Sequence, residues 1–244
     1  MSITLTAQQQ AELDEVGFTI LPDVFSRTEI NSLAVRIEAL QEKHLADLKA
    51  QGGTQGISRA DEITFTCHLA QQDPEIMAFC QRPEFIDITT QLLGPDTDLY
   101  WNQSVFKMPE GKKEFPWHQD DGYTPVDPSP YLTLWLALND ATIENGCVWV
   151  LPGSYKRGLV EHSHTPEGWS CHPLDHPDQG IPVPVKAGSI VAFWSLTMHK
   201  SSANISSGPR KAYIIQYSKA GLVSLPARTP VEHLIPVARE GARI

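Results

Sequence analysis

Long apolar runs are missing from this chain of 244 residues. None approaches the ~20 residues that a membrane-spanning helix needs, so the sequence does not read as a membrane protein. The start, Met1-Ser2-Ile3-Thr4-Leu5-Thr6-Ala7-Gln8, has neither a basic opening nor a hydrophobic core and does not read as a secretion signal. Cysteine is scarce. Cys67, Cys80, Cys147 and Cys171 form no C-x-x-C pair, which argues against a structural zinc site. Without an export signal they are expected to be reduced thiols in a cytoplasmic protein. Basic residues are outnumbered, 19 against 29 acidic, and the net charge of −10 argues against nucleic acid or an anionic membrane as partner. Repeats and linkers are absent too. What remains is an ordinary globular composition, 41% hydrophobic and 20% charged, at a length suited to one fairly large domain with a sizeable core. The expected partner is a small molecule, and the expected assembly a monomer or homodimer.

The first part of the chain reads as helices. A short one spans Thr6 to Val16 and stops at Gly17, before a small strand over Phe18 to Leu21. Ser26-Arg27-Thr28-Glu29 is a capping box, and the helix that it opens puts Ile30, Leu33, Ile37 and Leu40 on one apolar face as far as about Lys49. Gln51 to Gly56 reads as a flexible loop. Asp73-Pro74 opens a helix through Cys80, and Pro83 opens another that closes at Leu93 before Gly94-Pro95. Cys67 and His68 read as structural or peripheral residues between helices.

From Leu99 the pattern changes to strands: Leu99 to Met108, a Pro-Glu-Gly turn at Pro109 to Gly111, then the segment around His118. Leu132, Leu134, Leu136 and Leu138 alternate with Thr133, Trp135, Ala137 and Asn139, a strong period-two pattern. A turn at Glu144-Asn145-Gly146 precedes the strand Cys147 to Leu151. Further strands are expected at Ile181 to Lys186, Ser189 to Trp194 and Lys211 to Ser218. The stretch from Tyr155 to Gln179 is a polar excursion containing His162, His164, His172 and His176, of the length often used for lids. The tail from Leu222 reads as a surface loop. Helices first and short strands later imply a β-sandwich or barrel with helices packed outside.

The chemistry concentrates in Phe115-Pro116-Trp117-His118-Gln119-Asp120-Asp121-Gly122-Tyr123. In an extended segment side chains alternate, so His118 and Asp120 point the same way. A second imidazole, His199, follows the apolar run Val191 to Trp194. Two histidines and one carboxylate on one side of an ion form the facial triad of non-haem Fe(II) oxygenases, which leaves positions open for cosubstrate and O2. Arg210 follows at the start of another strand, and its guanidinium fork suits a carboxylate. The pair His162 and His164 is the rival, but it lacks a strand context and a carboxylate in register.

Trp117-His118-Gln119-Asp120, Leu134 to Asp140 with Glu144 to Cys147, Val150-Leu151-Pro152-Gly153-Ser154, and His199-Lys200-Ser201 with Arg210 resemble, in that order, the phytanoyl-CoA dioxygenase family of Fe(II)/2-oxoglutarate oxygenases. The resemblance runs roughly from Val16 to Ser218. It implies a double-stranded β-helix, or jelly roll: one domain over 1–244, with a helical part at about 6–94 and a barrel core at about 97–220. It implies that His118, Asp120 and His199 bind Fe(II), and that Arg210 clamps the distal carboxylate of 2-oxoglutarate with Ser201 bonded to the same group. Gln103 would contact the cosubstrate near the iron, and Trp135 would line its pocket.

The implied reaction uses O2 and 2-oxoglutarate, gives succinate and CO2, and oxidises a C–H bond of a small organic molecule. Hydroxylation is the commonest outcome, while desaturation, epoxidation and cyclisation use the same triad. Halogenation is disfavoured because related halogenases lack the carboxylate that Asp120 supplies. Lys107, Asp121, Tyr123, Trp169 and Trp194 are candidates to face the substrate, and no dense Lys/Arg cluster suits an acyl-CoA pyrophosphate. Two rivals remain: a metal enzyme that does not use 2-oxoglutarate, and a jelly-roll binding module without turnover.

Overall fold

The computed structural model describes residues 3–109, 114–171 and 180–244. Helices occupy the N-terminal part, and the longer ones begin or end on a local signal. In α1 (Ala7–Val16) the Thr6 hydroxyl accepts from the Gln9 N–H while the Gln9 side chain reaches back, and Gly17 closes the helix in the left-handed region. β1 (Phe18–Leu21) follows. α2 (Arg27–Ala50) opens on the capping box of Ser26 and Glu29 and buries Ile30, Leu33 and Ile37. β2 (Thr54–Gln55) and β3 (Ser58–Arg59) make a small hairpin where composition reads as a loop. β4 (Ile63–Cys67) has no counterpart in the sequence reading, because its apolar run is short and bounded by polar residues. α3 (Leu69–Gln72) is short, α4 (Pro74–Cys80) is capped by Asp73, and α5 (Pro83–Leu93) stops at Gly94.

The remaining elements are strands. They are β5 (Thr97–Lys107), β6 (Phe115–His118), β7 (Val126–Asp127), β8 (Leu132–Ala137), β9 (Val148–Val150), β10 (Ser163–Thr165) and β11 (Gly168–Ser170). There follow β12 (Ile181–Val183), β13 (Ile190–Trp194), β14 (His199–Ser201), β15 (Arg210–Lys219), β16 (Val223–Ser224), β17 (Thr229–Pro230), β18 (Ile235–Arg239) and β19 (Ala242–Arg243). A ten-stranded sheet runs β1-β13-β8-β15-β5-β4-β3-β2 with β18 and β19 attached at β5, and a four-stranded sheet runs β12-β9-β14-β6. The tail is therefore not merely a surface loop: β18 pairs with the start of β5 and extends the large sheet.

The two sheets close into a jelly roll, and β8 shows how. All six of its residues are buried. Leu132, Leu134 and Leu136 pack outward in a core shared with Leu33 and Ile37 of α2 and Phe85 of α5. Trp135 and Ala137 pack inward against Val148, Val150 and Val183 of the small sheet. A sheet covered on both faces turns a period-two pattern into two different interiors, one for packing and one for the site. Among the described residues no helix is long and apolar enough to cross a membrane. Of the expected features, the turn at Glu110 and Gly111 and the histidines His172 and His176 lie outside the described residues.

Candidate metal centre and cosubstrate pocket

The two imidazoles come from neighbouring antiparallel strands. His118 ends β6, His199 begins β14, and the two are direct partners across the ladder, with ring centroids 4.0 Å apart. Asp120 is not on the strand. β6 stops at His118, Gln119 keeps extended angles (φ −113, ψ 142), and Asp120 opens a single 3-10 turn whose first N–H donates to Ser195 O at 2.9 Å. That one extended residue is enough to bring His118 and Asp120 to the same side, as the H-x-D spacing predicts. Gln119 points away, its amide donating to Gly158 O and Leu196 O.

Each ligand atom is aimed by a bond at the other end of its side chain. His118 Nδ1 faces Pro116 O and His199 Nδ1 faces Thr197 O, both at 2.9 Å, so each ring carries its proton on Nδ1 and turns the Nε2 lone pair inward. Asp120 Oδ2 accepts from Thr133 Oγ1 at 2.6 Å and from Gln216 Nε2 at 3.0 Å. Its Oδ1 lies 3.9 Å from His118 Nε2 and 3.6 Å from His199 Nε2. Among the described residues this is the one His/Cys/Asp/Glu cluster able to hold a metal ion, with its ligand atoms within 4.8 Å of one another. Burial pushes His118 down to about 3 and His199 to about 4, which keeps both imidazoles neutral as ligation requires. Burial also raises the Asp120 carboxyl, against the opposing pull of His118 and of its two donors. Two neutral nitrogens and one carboxylate oxygen converging on a face fit a hard-to-borderline divalent cation such as Fe(II).

The cluster lies in a cavity of about 810 Å³, in the upper part of the ~300–1,000 Å³ range of small-molecule sites. Beyond the metal ligands the large sheet lines it with Arg210, Trp135 and Gln103, and β14 contributes Ser201. Arg210 is 2% exposed, donates through Nε to Gly146 O (3.2 Å) and through Nη1 to Val105 O (3.3 Å), and lies 5.3 Å from the Trp135 ring centre. Among the described residues no carboxylate pairs with it, and burial lowers it to about 10. Gln103 Oε1 accepts from Trp101 Nε1 at 3.1 Å and from the Cys67 thiol at 3.5 Å.

Several expectations need correction. Cys67 is not peripheral: it ends β4 and lines the cavity, while His68 meets the Trp101 ring edge-on. Of the candidates for substrate contact only Tyr123 lines the cavity. Trp194 turns outward and donates to Leu13 O of α1, because its position on β13 has the parity of the helix-covered face. Asp121 is buried beneath the turn and accepts from Ser129. Trp169 stands on the β10–β11 hairpin against His164, and Lys107 lies behind the cavity wall. The rival His162 and His164 do not make a site. His162 Nε2 accepts from the Gln119 N–H at 3.0 Å and its Nδ1 faces Val160 O, so this ring braces the H-x-D segment from behind. Thr133 and Gln216, the two holders of Asp120, were not singled out from the sequence. Strand parity could have found them: Thr133 is two residues from Trp135, and Gln216 is six from Arg210.

A jelly roll with two imidazoles and a carboxylate facing into its cavity defines the class of non-haem iron oxygenases. The chain belongs to the phytanoyl-CoA dioxygenase (PhyH) family, whose model matches residues 13–212, and with it to the Fe(II)/2-oxoglutarate-dependent dioxygenases. It is similar to a phytanoyl-CoA dioxygenase of Arabidopsis thaliana, 32% identical over 151 residues, which are 59% of this chain and 53% of that protein. The ectoine dioxygenase of Bordetella bronchiseptica is 28% identical over 236 residues, 88% of this chain and 75% of that one. Among solved structures, the alpha-ketoglutarate-dependent carbocyclase SnoK from nogalamycin biosynthesis superposes with a TM-score of 0.78 at 25% identity, covering 96% of this chain and 97% of that one.

Proposed function

We propose that this protein is a dioxygenase that hydroxylates a C–H bond of a small organic molecule, with Fe(II) as its metal and 2-oxoglutarate and O2 as cosubstrates. The carrying observation is the convergence of His118 Nε2, His199 Nε2 and Asp120 Oδ1 in a cavity whose end holds a buried guanidinium that no carboxylate of the described residues neutralises. In this reading those three atoms hold the iron. When bound, it couples oxidative decarboxylation of 2-oxoglutarate to succinate and CO2 with oxidation of the substrate. Arg210 pairs with the distal carboxylate, because two of its five N–H groups face carbonyls and the others are free for a fork-to-fork contact. Ser201 donates to the same carboxylate, Trp135 walls the chain of the cosubstrate, and Gln103 contacts it beside the metal. The buried walls limit water around the metal and would hold the substrate C–H bond beside it.

One domain over the whole chain carries these groups in this reading, and all four cysteines are free thiols, which suits a reducing cytoplasm. Among the described residues the cavity carries Lys43 beside Asp47, and a Lys200 paired with Glu114, in place of a basic cluster, which favours a free small molecule over an acyl-CoA thioester.

Anaerobic titration with Fe(II) and then 2-oxoglutarate tests the reading. A weak visible charge-transfer band should form, and it should be lost in Asp120→Ala and weakened in Arg210→Ala. Iron binding without a band would remove 2-oxoglutarate and leave a different metal enzyme. A band with no succinate on exposure to O2 across substrate candidates would leave a binding module. The likeness to a carbocyclase supports ring closure as a second reading. Product mass separates the two, since hydroxylation adds an oxygen atom whereas ring closure removes two hydrogens.

A further inference from the structure

Lys107 is the most deeply buried ammonium among the described residues, 1% exposed at the end of β5. Its Nζ donates to Ser201 O at 3.1 Å, to Ser201 Oγ at 3.0 Å and to Ser202 O. An ammonium has three N–H groups. All three are engaged, so Lys107 has none left for a ligand, and it does not line the cavity. Ser201 does line it. A hydroxyl oxygen that accepts from an ammonium keeps its own proton to donate elsewhere, and Ser201 faces the same cavity end as Arg210.

The surroundings are built to keep Lys107 there. Gly146, at φ +84, approaches so closely that a Cβ would lie 2.6 Å from Ser202 O and 3.2 Å from Lys107 Cδ, while its carbonyl takes the Arg210 Nε–H. The Gly146 backbone thus packs against both cationic side chains. Asn204 Nδ2 donates to Lys107 O and fixes the backbone. No carboxylate of the described residues pairs with Lys107. Glu114, the acid whose charge acts on it, is paired with Lys200. Burial and the neighbouring Arg210 push Lys107 down to about 7, so its ammonium is only marginally held without a partner, and a bound dianion would keep both groups charged.

We infer that Lys107 is a positioning residue that holds Ser201 as a hydrogen-bond donor and, with Arg210, makes this end of the cavity selective for a cosubstrate bearing a second carboxylate. The inference rests on the 2-oxoglutarate reading above and adds a residue that acts through Ser201.

The test is equilibrium binding of 2-oxoglutarate and of pyruvate, a 2-oxo acid with no distal carboxylate, to the anaerobic Fe(II) protein, read from the charge-transfer band and by calorimetry. Lys107→Met should weaken 2-oxoglutarate about tenfold, the scale of one charge-assisted hydrogen bond, and leave pyruvate unchanged. Ser201→Ala should do the same, and Lys107→Met should add little to it. Equal 2-oxoglutarate midpoints for parent and Lys107→Met, an equal loss for pyruvate, or fully additive losses in the double variant would each overturn the inference. A lysine that merely ties carbonyls together would instead lower the melting temperature and leave the ratio of the two acids unmoved. If Lys107→Met does not fold, Lys107→Gln, which keeps a donor to Ser201 but loses the charge, should still lower the ratio of 2-oxoglutarate to pyruvate binding, and an unmoved ratio would overturn the inference. No band in the parent protein would remove the cosubstrate reading itself, an outcome distinct from any of these.

Discussion

At the metal end of the cavity every ligating side chain has its other polar atom tied down: Nδ1 of His118 and His199 to carbonyls, Oδ2 of Asp120 to Thr133 and Gln216. The mouth is built differently. There α2 offers Lys43, His44 and Asp47 to the cavity, and His44 Nε2 is buried without a hydrogen-bond partner. The β2–β3 hairpin beside it has two residues in each strand, and Gln55 and Gly56 at its tip are exposed. Chemistry at a metal needs ligands placed within a fraction of an ångström, so hydrogen bonds over-determine that end. Substrates differ between relatives of one family, and a mouth made of a helix face and a small hairpin can change without disturbing the ligands. In the proposed reading the contrast separates catalysis from specificity along one cavity.

The largest break in that contrast is at the ligands. His118→Ala or Asp120→Ala should lower turnover by at least ~10³-fold, the scale of losing a metal's chemistry, with the circular dichroism spectrum kept. Full activity in either would reject the centre. Next comes Arg210→Ala, which should raise the 2-oxoglutarate requirement about 30- to 100-fold through loss of a bidentate charged pair. An unchanged requirement would move the clamp elsewhere.

The holders of Asp120 sharpen the comparison further. Gln216→Leu or Thr133→Val should weaken metal binding about tenfold, at the low end of what such supporting residues contribute, and competition with a chelator would measure it. At the mouth, His44→Phe or Leu40→Ala should change substrate KM about three- to tenfold, the scale of a few methylenes in a pocket, while the charge-transfer midpoint stays fixed. A shift in that midpoint would erase the distinction between the two ends.

The smallest effect is on acid stability of the metal-free protein. Both folded imidazole values, about 3 and about 4, lie below the ordinary 6.5. The unfolded chain therefore binds more protons in that window, and stability is full above ~6.5 and lost as pH falls through 4 toward 3. His199→Asn should flatten the acid limb of a melting-temperature profile. An equally steep limb would mean that this imidazole does not contribute to it.

Much of this was legible residue by residue. Ser26 with Glu29, Asp73 with Pro74, and Gly17 mark helix ends because caps are local bonds. The H-x-D spacing predicts shared sidedness, which a single extended Gln119 preserves even though the strand ends before Asp120. Other features had no local signature. β4 exists because β5 offers it the edge that β15 leaves free, the β2–β3 hairpin extends from β4, and β18 takes the same edge at the start of β5. His162 looked like half of a rival metal pair, and only its placement behind Gln119 reveals a brace.

By itself the sequence determined which residue types could hold a metal and a carboxylate, and on which strands, because alternation and capping depend on neighbours in the chain. Tertiary structure decided which of them meet. It put His118 opposite His199 across a ladder, sent Trp194 to the helices and Trp135 to the cavity, and set Lys107 behind Ser201 with every N–H engaged. Those outcomes depend on sheet pairing and on which face each sheet buries, and both are fixed by contacts between residues far apart in the chain.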